Sequence, residues 1–229
     1  MRTAIIVIVI LSAIMCVHDS FGADDGLHWR VYTETGGMNV TENEVSEGHK
    51  SYHSLGVEGI MENMRAQFKF GIDGFIMGEP PEEDPEIPCM GGGAFVEYGI
   101  KWTSYATPYL GIRYDHFSRG TAPKYDDPND PEYDNYGPNA QIESEHDIVS
   151  ARGGVHLMYK WLYADIGTII PFYTNTKSGN FGADVGVGVV FGNWDLGYRF
   201  KQYRMTDNHF TGDEALSFYF SGVQLGYTF

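Results

Sequence analysis

Hydrophobic and polar residues alternate with a period of two along most of this chain, which is the pattern of β-strands rather than of helices. The last fifteen residues, 215–229, show this pattern clearly. Large apolar residues at Val223, Leu225, Tyr227 and Phe229 alternate there with small or polar ones. A strand of this kind has one apolar face and one face that tolerates water.

Ten segments carry the pattern, and they come in pairs near 27–37, 51–61, 64–77, 93–103, 107–117, 147–159, 161–173, 180–191, 194–204 and 215–229. Four connections are tight, and five are long and polar, over 38–50, 78–92, 118–146, 174–179 and 205–214. Because tight and long connections alternate, all the tight turns fall on one edge of the sheet and all the long loops on the other. The segments reach the roughly 9–11 residues that a tilted strand needs to cross a bilayer.

Most charged residues within these segments lie on one face. Where one segment carries several charges, these share a parity, as Arg65, Lys69 and Asp73 do; the exceptions are Asp147 and Arg204, each at the end of a segment. A basic side chain that faces lipid at the bilayer midplane costs about 2–4 kcal/mol. We therefore expect the charges to face an enclosed lumen. The eight basic and eight acidic residues are Arg30, Arg65, Lys69, Lys101, Arg113, Arg152, Arg199 and Lys201, with Glu34, Glu58, Asp73, Glu97, Asp115, Asp165, Asp184 and Asp195.

Equal numbers of positive and negative charges make the expected lumen neutral. Barrels of about eight strands have interiors that side chains fill, whereas water-filled porins use about 16–18 strands. The sequence therefore favours a lumen packed with ion pairs over an open conduit. Arg152 and His156, on the lumen face of the sixth segment, would form buried ion pairs or, in the alternative, a pore constriction.

These patterns predict an all-β protein. The expected fold is a closed antiparallel transmembrane β-barrel of ten strands, with eight strands as the alternative. Residues 1–22 have one positive charge, a short apolar run and small residues before Ala23, and we interpret them as a signal peptide. The barrel would then span residues 23–229. The net charge of −16 argues against nucleic acid as a partner.

The chain ends on an aromatic residue, Phe229. In this it resembles bacterial outer-membrane β-barrel proteins, whose last strand typically ends in Phe or Trp and is read by the assembly machinery. The wider resemblance is to small barrels of the opacity and OmpA-like, porin-type group. It implies localisation in the bacterial outer membrane, short periplasmic turns and long extracellular loops. It also implies contact with membrane lipid and lipopolysaccharide. Aromatic residues at the strand ends would form the interfacial girdle: Trp29, Trp102, Tyr105, Tyr159, Trp161, Trp194, Tyr227 and Phe229.

Because the charges of the strands balance, the acidic excess must lie in the loops and termini. One loop segment is rich in the oxygen ligands that Ca²⁺ prefers. It lacks the full spacing of a calcium-binding EF-hand loop, so diffuse attraction of divalent cations at the lipopolysaccharide surface is the competing interpretation. The candidate calcium ligands are Asp126, Asp127, Asp130, Glu132 and Asp134.

Two short motifs suggest an enzyme. His116-Phe117-Ser118 resembles the His-x-Ser pair of outer-membrane lipid A deacylases, in which Glu132 would supply the acid. In that family Asn follows, and here Arg119 stands instead. Asp207-Asn208-His209 resembles the Asp-x-His pair of omptin proteases, but those sites also need an Asp-x-Asp pair, which this chain lacks.

The sequence thus favours a non-enzymatic surface protein with a structural or adhesive role and acidic extracellular loops. A narrow porin-like channel is the first alternative. An outer-membrane lipid A-modifying hydrolase is the second, and a soluble ligand-binding barrel the third. No cofactor is expected other than Ca²⁺.

Overall fold

Ten β-strands form one closed barrel in the computed structural model, which describes residues 26–42, 45–77, 90–121, 142–174, 178–206 and 215–229. Each strand pairs antiparallel with its neighbours in sequence, and β1 pairs with β10 to close the sheet. Ten strands are therefore confirmed, rather than eight. Within the described part of the chain, no helix is long and apolar enough to cross a membrane. The strands are β1 (Leu27–Glu42), β2 (Val45–Glu62), β3 (Ala66–Met77), β4 (Met90–Ile100), β5 (Ala106–Thr121), β6 (Ile142–Tyr159), β7 (Leu162–Thr174), β8 (Ser178–Phe191), β9 (Trp194–Thr206) and β10 (Ala215–Thr228).

The four tight turns lie where the sequence predicts them, and local hydrogen bonds explain why they form. The Asn63 side chain accepts hydrogen bonds from the backbone amides of Arg65 and Ala66, both at 2.8 Å. Between β8 and β9, Gly192 adopts a φ of 64°, which only glycine tolerates easily. These turns lie on one edge of the barrel, together with the start of β1 and the end of β10. We call this edge the inner edge. The opposite edge is the outer edge.

The predicted loop over 38–50 is wrong. β1 continues to Glu42 and β2 begins at Val45, so the two strands form a hairpin that leaves only residues 43–44 between them. The ladder contains one register shift, between Asn39 and Thr41. A hairpin that projects beyond the bilayer needs backbone pairing but no apolar face. Its sequence therefore loses the period of two from which strands are predicted.

The prediction that charges face the lumen is confirmed. Fourteen of the sixteen predicted residues lie in strands, while Arg65 and Lys101 lie in tight turns. Ion pairs join strands that are not neighbours in the sheet, for example Arg113 on β5 with Asp73 on β3. Such contacts can form only across the inside of the barrel. The opposite face is apolar and exposed, as at Leu110, which is 75% exposed.

The outer half of the lumen is filled by apolar side chains, which we call the apolar plug. Its members come from eight of the ten strands and contact one another through the middle of the barrel. Phe117 on β5 stacks on Phe218 of β10 with ring centroids 5.2 Å apart. The plug consists of Met38, Tyr52, Phe75, Met77, Phe117, Ile148, Ile169, Tyr203, Phe218 and Phe220.

The sheet is least regular between β7 and β8. Their ladder ends at the pair Ile169↔Gly182, although both strands continue towards the outer edge by pairing with β6 and β9. Register shifts flank this seam on both sides, at Phe172 in β7 and next to Gly182 in β8. Pro171 lies in the seam, where its missing amide hydrogen removes no ladder bond to β8.

Candidate functional site

Below the plug, Arg113 is the centre of a buried cluster of charges. Its guanidinium donates two hydrogen bonds to Asp73, at 2.7 and 2.9 Å, and one to Asp115 at 2.7 Å. The hydroxyl of Tyr32 donates to the same Asp73 carboxylate at 3.2 Å. These side chains come from β1, β3 and β5, so they tie separate parts of the barrel wall together.

A second buried cluster lies beside the first. Arg152 on β6 donates to Glu97 on β4 and to Asp184 on β8. Arg199 on β9 binds the same Asp184 with two hydrogen bonds, at 2.8 and 2.9 Å. The ring of Phe95 lies between the two clusters. Its centroid is 6.0 Å from the guanidinium carbon of Arg113 in the first cluster and 5.6 Å from that of Arg152 in the second. The expectation that Arg152 forms ion pairs is confirmed.

A third cluster of charges lies near the place where β1 pairs with β10 to close the barrel. Arg30 on β1 binds Asp195 on β9 with hydrogen bonds of 2.6 and 2.8 Å, and Glu58 on β2 with one of 3.0 Å. Gly226 makes this possible, because a Cβ there would lie only 2.3 Å from an Asp195 oxygen and 2.7 Å from Arg30 Nε. The glycine therefore makes room for the ion pair.

The inner half of the lumen is a cavity of about 500 Å³. We call it the inner vestibule; it extends from the charge clusters to the tight turns, where Ser104 and Asn193 line it. His156 lies in its wall, with Nδ1 2.6 Å from an Asp165 oxygen and its ring stacked on Tyr109 at 4.2 Å. His156 thus belongs to an ion-paired wall, as the sequence favours.

On the outside of the barrel, near the outer edge, three polar side chains meet. His116 Nδ1 lies 3.0 Å from Asp147 Oδ1, and the Tyr114 hydroxyl donates to the same oxygen at 2.6 Å. The backbone of Ser118 pairs with that of Glu145 one step further along the same two strands. We call Tyr114, His116 and Asp147 the outer-face cluster.

Asp147 is the residue that sequence reasoning missed at this cluster. The expected acid, Glu132, lies outside the described residues, whereas Asp147 is directly opposite His116 in the β5–β6 ladder. The signal is present in the sequence, since a strand pair of fixed register brings one acidic residue to the face that carries His116. The pairing of His116 with Asp147 cannot be predicted from the sequence alone, because the register of β5 and β6 depends on the length of the connection between them.

The candidate calcium ligands Asp126, Asp127, Asp130, Glu132 and Asp134 lie outside the described residues. So do the predicted signal peptide and the Asp207-Asn208-His209 motif. Within the described ranges, no three of His, Cys, Asp and Glu come together as metal ligands would. The calcium site remains a prediction.

Several solved structures are similar to this barrel. The outer membrane protease OmpT from Escherichia coli superposes with a TM-score of 0.51 at 8% identity, covering 91% of this chain and 98% of that one. Ail, the attachment invasion locus protein of Yersinia pestis, gives 0.41 at 11% identity over 88% of this chain and 98% of that one. Neisserial surface protein A gives 0.37 at 16% identity, over 90% and 100%. No protein-family model and no curated protein matches the chain.

At 8% identity the likeness to OmpT shows the fold alone, and that fold agrees with the chemistry of the two faces. Apolar side chains such as Ile72, Leu110 and Phe181 cover the outside, and charges fill the inside. Aromatic residues surround the inner edge, where Trp102 and Trp161 are exposed as an interfacial girdle requires. The chain is a small outer-membrane β-barrel protein, and it resides in the bacterial outer membrane.

Proposed function

We propose that this barrel is a closed, non-enzymatic surface protein with a structural or adhesive role, rather than a solute pore. The observation that carries the proposal is the apolar plug, whose nine buried members are at most 7% exposed. Below it, the guanidinium groups of Arg113 and Arg152 are anchored to carboxylates from other strands. Ions that cross the barrel would have to pass both layers.

Electrical recording tests this proposal. The purified protein is incorporated into planar lipid bilayers, and its current is compared with that of a water-filled porin. We expect no unitary conductance steps, because the packed side chains of the plug and the ion-paired guanidinium groups below it obstruct the lumen. Regular steps from the wild-type protein, at a size that scales with salt concentration, would support the narrow-channel alternative instead.

The surface role rests on the loops, whose acidic character the sequence predicts. We propose that they attract divalent cations between the protein and neighbouring lipopolysaccharide. Calcium should then raise the thermal unfolding temperature of the folded barrel, and changing Asp126 and Asp130 to Asn should reduce that increase. If calcium does not change the unfolding temperature of the wild type, this part of the proposal fails.

The outer-face cluster supports a second candidate, an ester hydrolase that acts on outer-leaflet lipid. In nucleophilic catalysis an acid orients a histidine, and the histidine accepts the proton of a serine. Asp147 is hydrogen-bonded to Nδ1 of His116, which leaves Nε2 as the atom that would accept a proton. Ser118 follows two residues later in the same strand and would be the nucleophile.

Mass spectrometry of lipid A tests this second candidate. Cells that express the wild type, His116→Ala, Ser118→Ala or Asp147→Asn are compared, and each substitution should abolish any acyl loss that the wild type causes. His53→Ala is the matched control, because His53 also lies on the outer face, 3.1 Å from Thr35 Oγ1. Unchanged lipid A in wild-type cells would exclude this activity.

A further inference from the structure

The tight turns of the inner edge are basic, although the whole chain carries a net charge of −16. Their four connections span residues 63–65, 101–105, 160–161 and 192–193. Together these connections contain three basic residues and no acidic one. Lys101 pairs with Glu62 at the end of β2, whereas Arg65 and Lys160 form no ion pair with any residue in the described ranges. An anion outside the protein could therefore bind at either of these two cations.

Of the two, Lys160 lies on the lipid-facing side of the barrel. Its Nζ is 5.4 Å from the ring centroid of Tyr159, which precedes it in the chain. Tyr159 is more than half exposed, and its parity in β6 is opposite to that of Arg152 and His156, which point into the lumen. The ammonium group thus lies outside the lumen at the inner edge, where lipid headgroups begin.

Aromatic side chains surround this ammonium group. Tyr105, in the neighbouring β4–β5 turn, packs against Tyr159 with ring centroids 5.5 Å apart. A hydrogen bond of 2.9 Å from the amide of Met158 to the carbonyl oxygen of Tyr105 holds the two turns together. Tyr105 and Trp161 are both more than half exposed. Tyrosine and tryptophan favour the headgroup level of a bilayer, so these rings place Lys160 at the depth of the lipid phosphates.

The backbone of Lys160 is strained. Its φ is 55°, the one positive value among the described residues other than glycine. The β8–β9 turn also has two residues between its strands, and there the first position is Gly192, with a φ of 64°. Glycine adopts this left-handed conformation without a steric penalty, whereas a residue with a side chain does not. The lysine therefore costs turn stability, as residues at functional sites often do.

We propose that Lys160, Tyr105 and Tyr159 bind one anionic phospholipid in the inner leaflet of the outer membrane. The ammonium group of Lys160 would contact the lipid phosphate. The two phenol hydroxyls, which make no hydrogen bond within the described part of the chain, would contact the rest of the headgroup. A headgroup with a net negative charge, such as phosphatidylglycerol, is specified because phosphatidylethanolamine already carries an ammonium group beside its phosphate.

Native mass spectrometry tests the proposal. The folded protein in detergent is titrated with phosphatidylglycerol or phosphatidylethanolamine of identical acyl chains, and the dissociation constant of the first bound lipid is compared. We expect the wild type to bind phosphatidylglycerol about fivefold more tightly, as one basic residue near an anionic headgroup implies. Lys160→Gly should remove this preference and keep the turn, because Gly192 has a similar φ in the matching turn. Lys160→Arg should retain it, because the charge remains.

Arg65→Met is the matched control. It also removes one positive charge from a tight turn of the inner edge, but Arg65 contacts no aromatic ring among the described residues. It should therefore retain the wild-type preference. The proposal is overturned if the wild type binds both lipids equally or if Lys160→Gly keeps the preference. It is also overturned if Arg65→Met reduces the preference as much as Lys160→Gly does, because the attraction would then belong to the whole inner edge.

Urea unfolding in vesicles provides a second measurement that does not depend on the intrinsic stability of each variant. Wild type and Lys160→Gly are each unfolded in phosphatidylethanolamine vesicles with and without phosphatidylglycerol. A lipid that binds only the folded protein stabilises it. Phosphatidylglycerol should therefore shift the urea midpoint of the wild type further towards stability than that of Lys160→Gly. Equal shifts in the two proteins would contradict the proposal.

Discussion

Replacing Arg113 with Met is the most informative perturbation of this barrel. Methionine keeps much of the volume of the side chain but removes the guanidinium group and its three hydrogen bonds to Asp73 and Asp115. Asp73 would retain the Tyr32 hydroxyl. Asp115 is only 2% exposed, and among the described side chains Arg113 is the one that bonds to it.

The expected loss of unfolding free energy is about 3–5 kcal/mol, because one partner of a buried ion pair is left uncompensated. Arg152→Met should cost less, about 1–3 kcal/mol, since Asp184 would still be bound by both hydrogen bonds from Arg199. Glu97, the other partner of Arg152, would keep His156 Nε2 at 3.6 Å and Lys69 opposite it in the β3–β4 ladder. The order of the two variants follows from the structure. It does not depend on the absolute values.

The measurement is equilibrium urea unfolding in lipid vesicles, followed by tryptophan fluorescence. Arg65→Met is the control, because this turn arginine is exposed and should cost no more than about 0.5 kcal/mol. A variant that also changes Asp73 and Asp115 to Asn should recover part of the loss, since neither former partner of Arg113 is then charged. If Arg113→Met costs as little as Arg65→Met, or less than Arg152→Met, the argument that these ion pairs hold the lumen together is refuted.

Three further outcomes are expected. Gly226→Ala should destabilise the barrel by about 2 kcal/mol or more in the same unfolding assay, whereas Gly186→Ala, whose Cβ would meet nothing closer than 3.8 Å, should change it little. Leu110→Arg places a charge on the lipid face and should cost about 2–4 kcal/mol, with loss of folded protein on unheated gels if the site is near the midplane. In hydrogen exchange, amides at 172–174 that lack a ladder partner on β8 should exchange faster than those at 162–169, which β8 pairs; equal protection would mean that the two strands also pair beyond Ile169.

Most of the fold follows from the sequence because the bilayer imposes a simple rule on each strand. Lipid outside and a narrow interior force alternation, so the parity of residues such as Lys69 and Asp73 is enough to predict that they point into the lumen. Strand residues that extend beyond the bilayer are not held to this alternation, because no lipid contacts them. The rule therefore predicts a loop where strand residues 38–42 and 45–50 lie.

The site is less predictable, because parity gives the face of a side chain but not its partners. Phe117 has the same parity as Arg113, yet nothing local indicates that it meets Phe218 from the far side of the lumen. The pairing of His116 with Asp147 depends on the register of two strands joined by a long connection, and that register is a property of the folded sheet. Contacts across the barrel are therefore decided by the closure of the whole sheet and not by any one segment.

The apolar plug separates the outer opening of the barrel from the inner one, so residues at one opening can change without affecting residues at the other. Side chains above it face the outside of the cell, and those below it face the periplasm, with a layer of packed aromatic rings such as Phe117 and Phe220 between them. Substitutions among the surface loops can therefore accumulate without disturbing the vestibule. Substitutions near Lys69 would likewise leave the surface that faces the cell exterior unchanged.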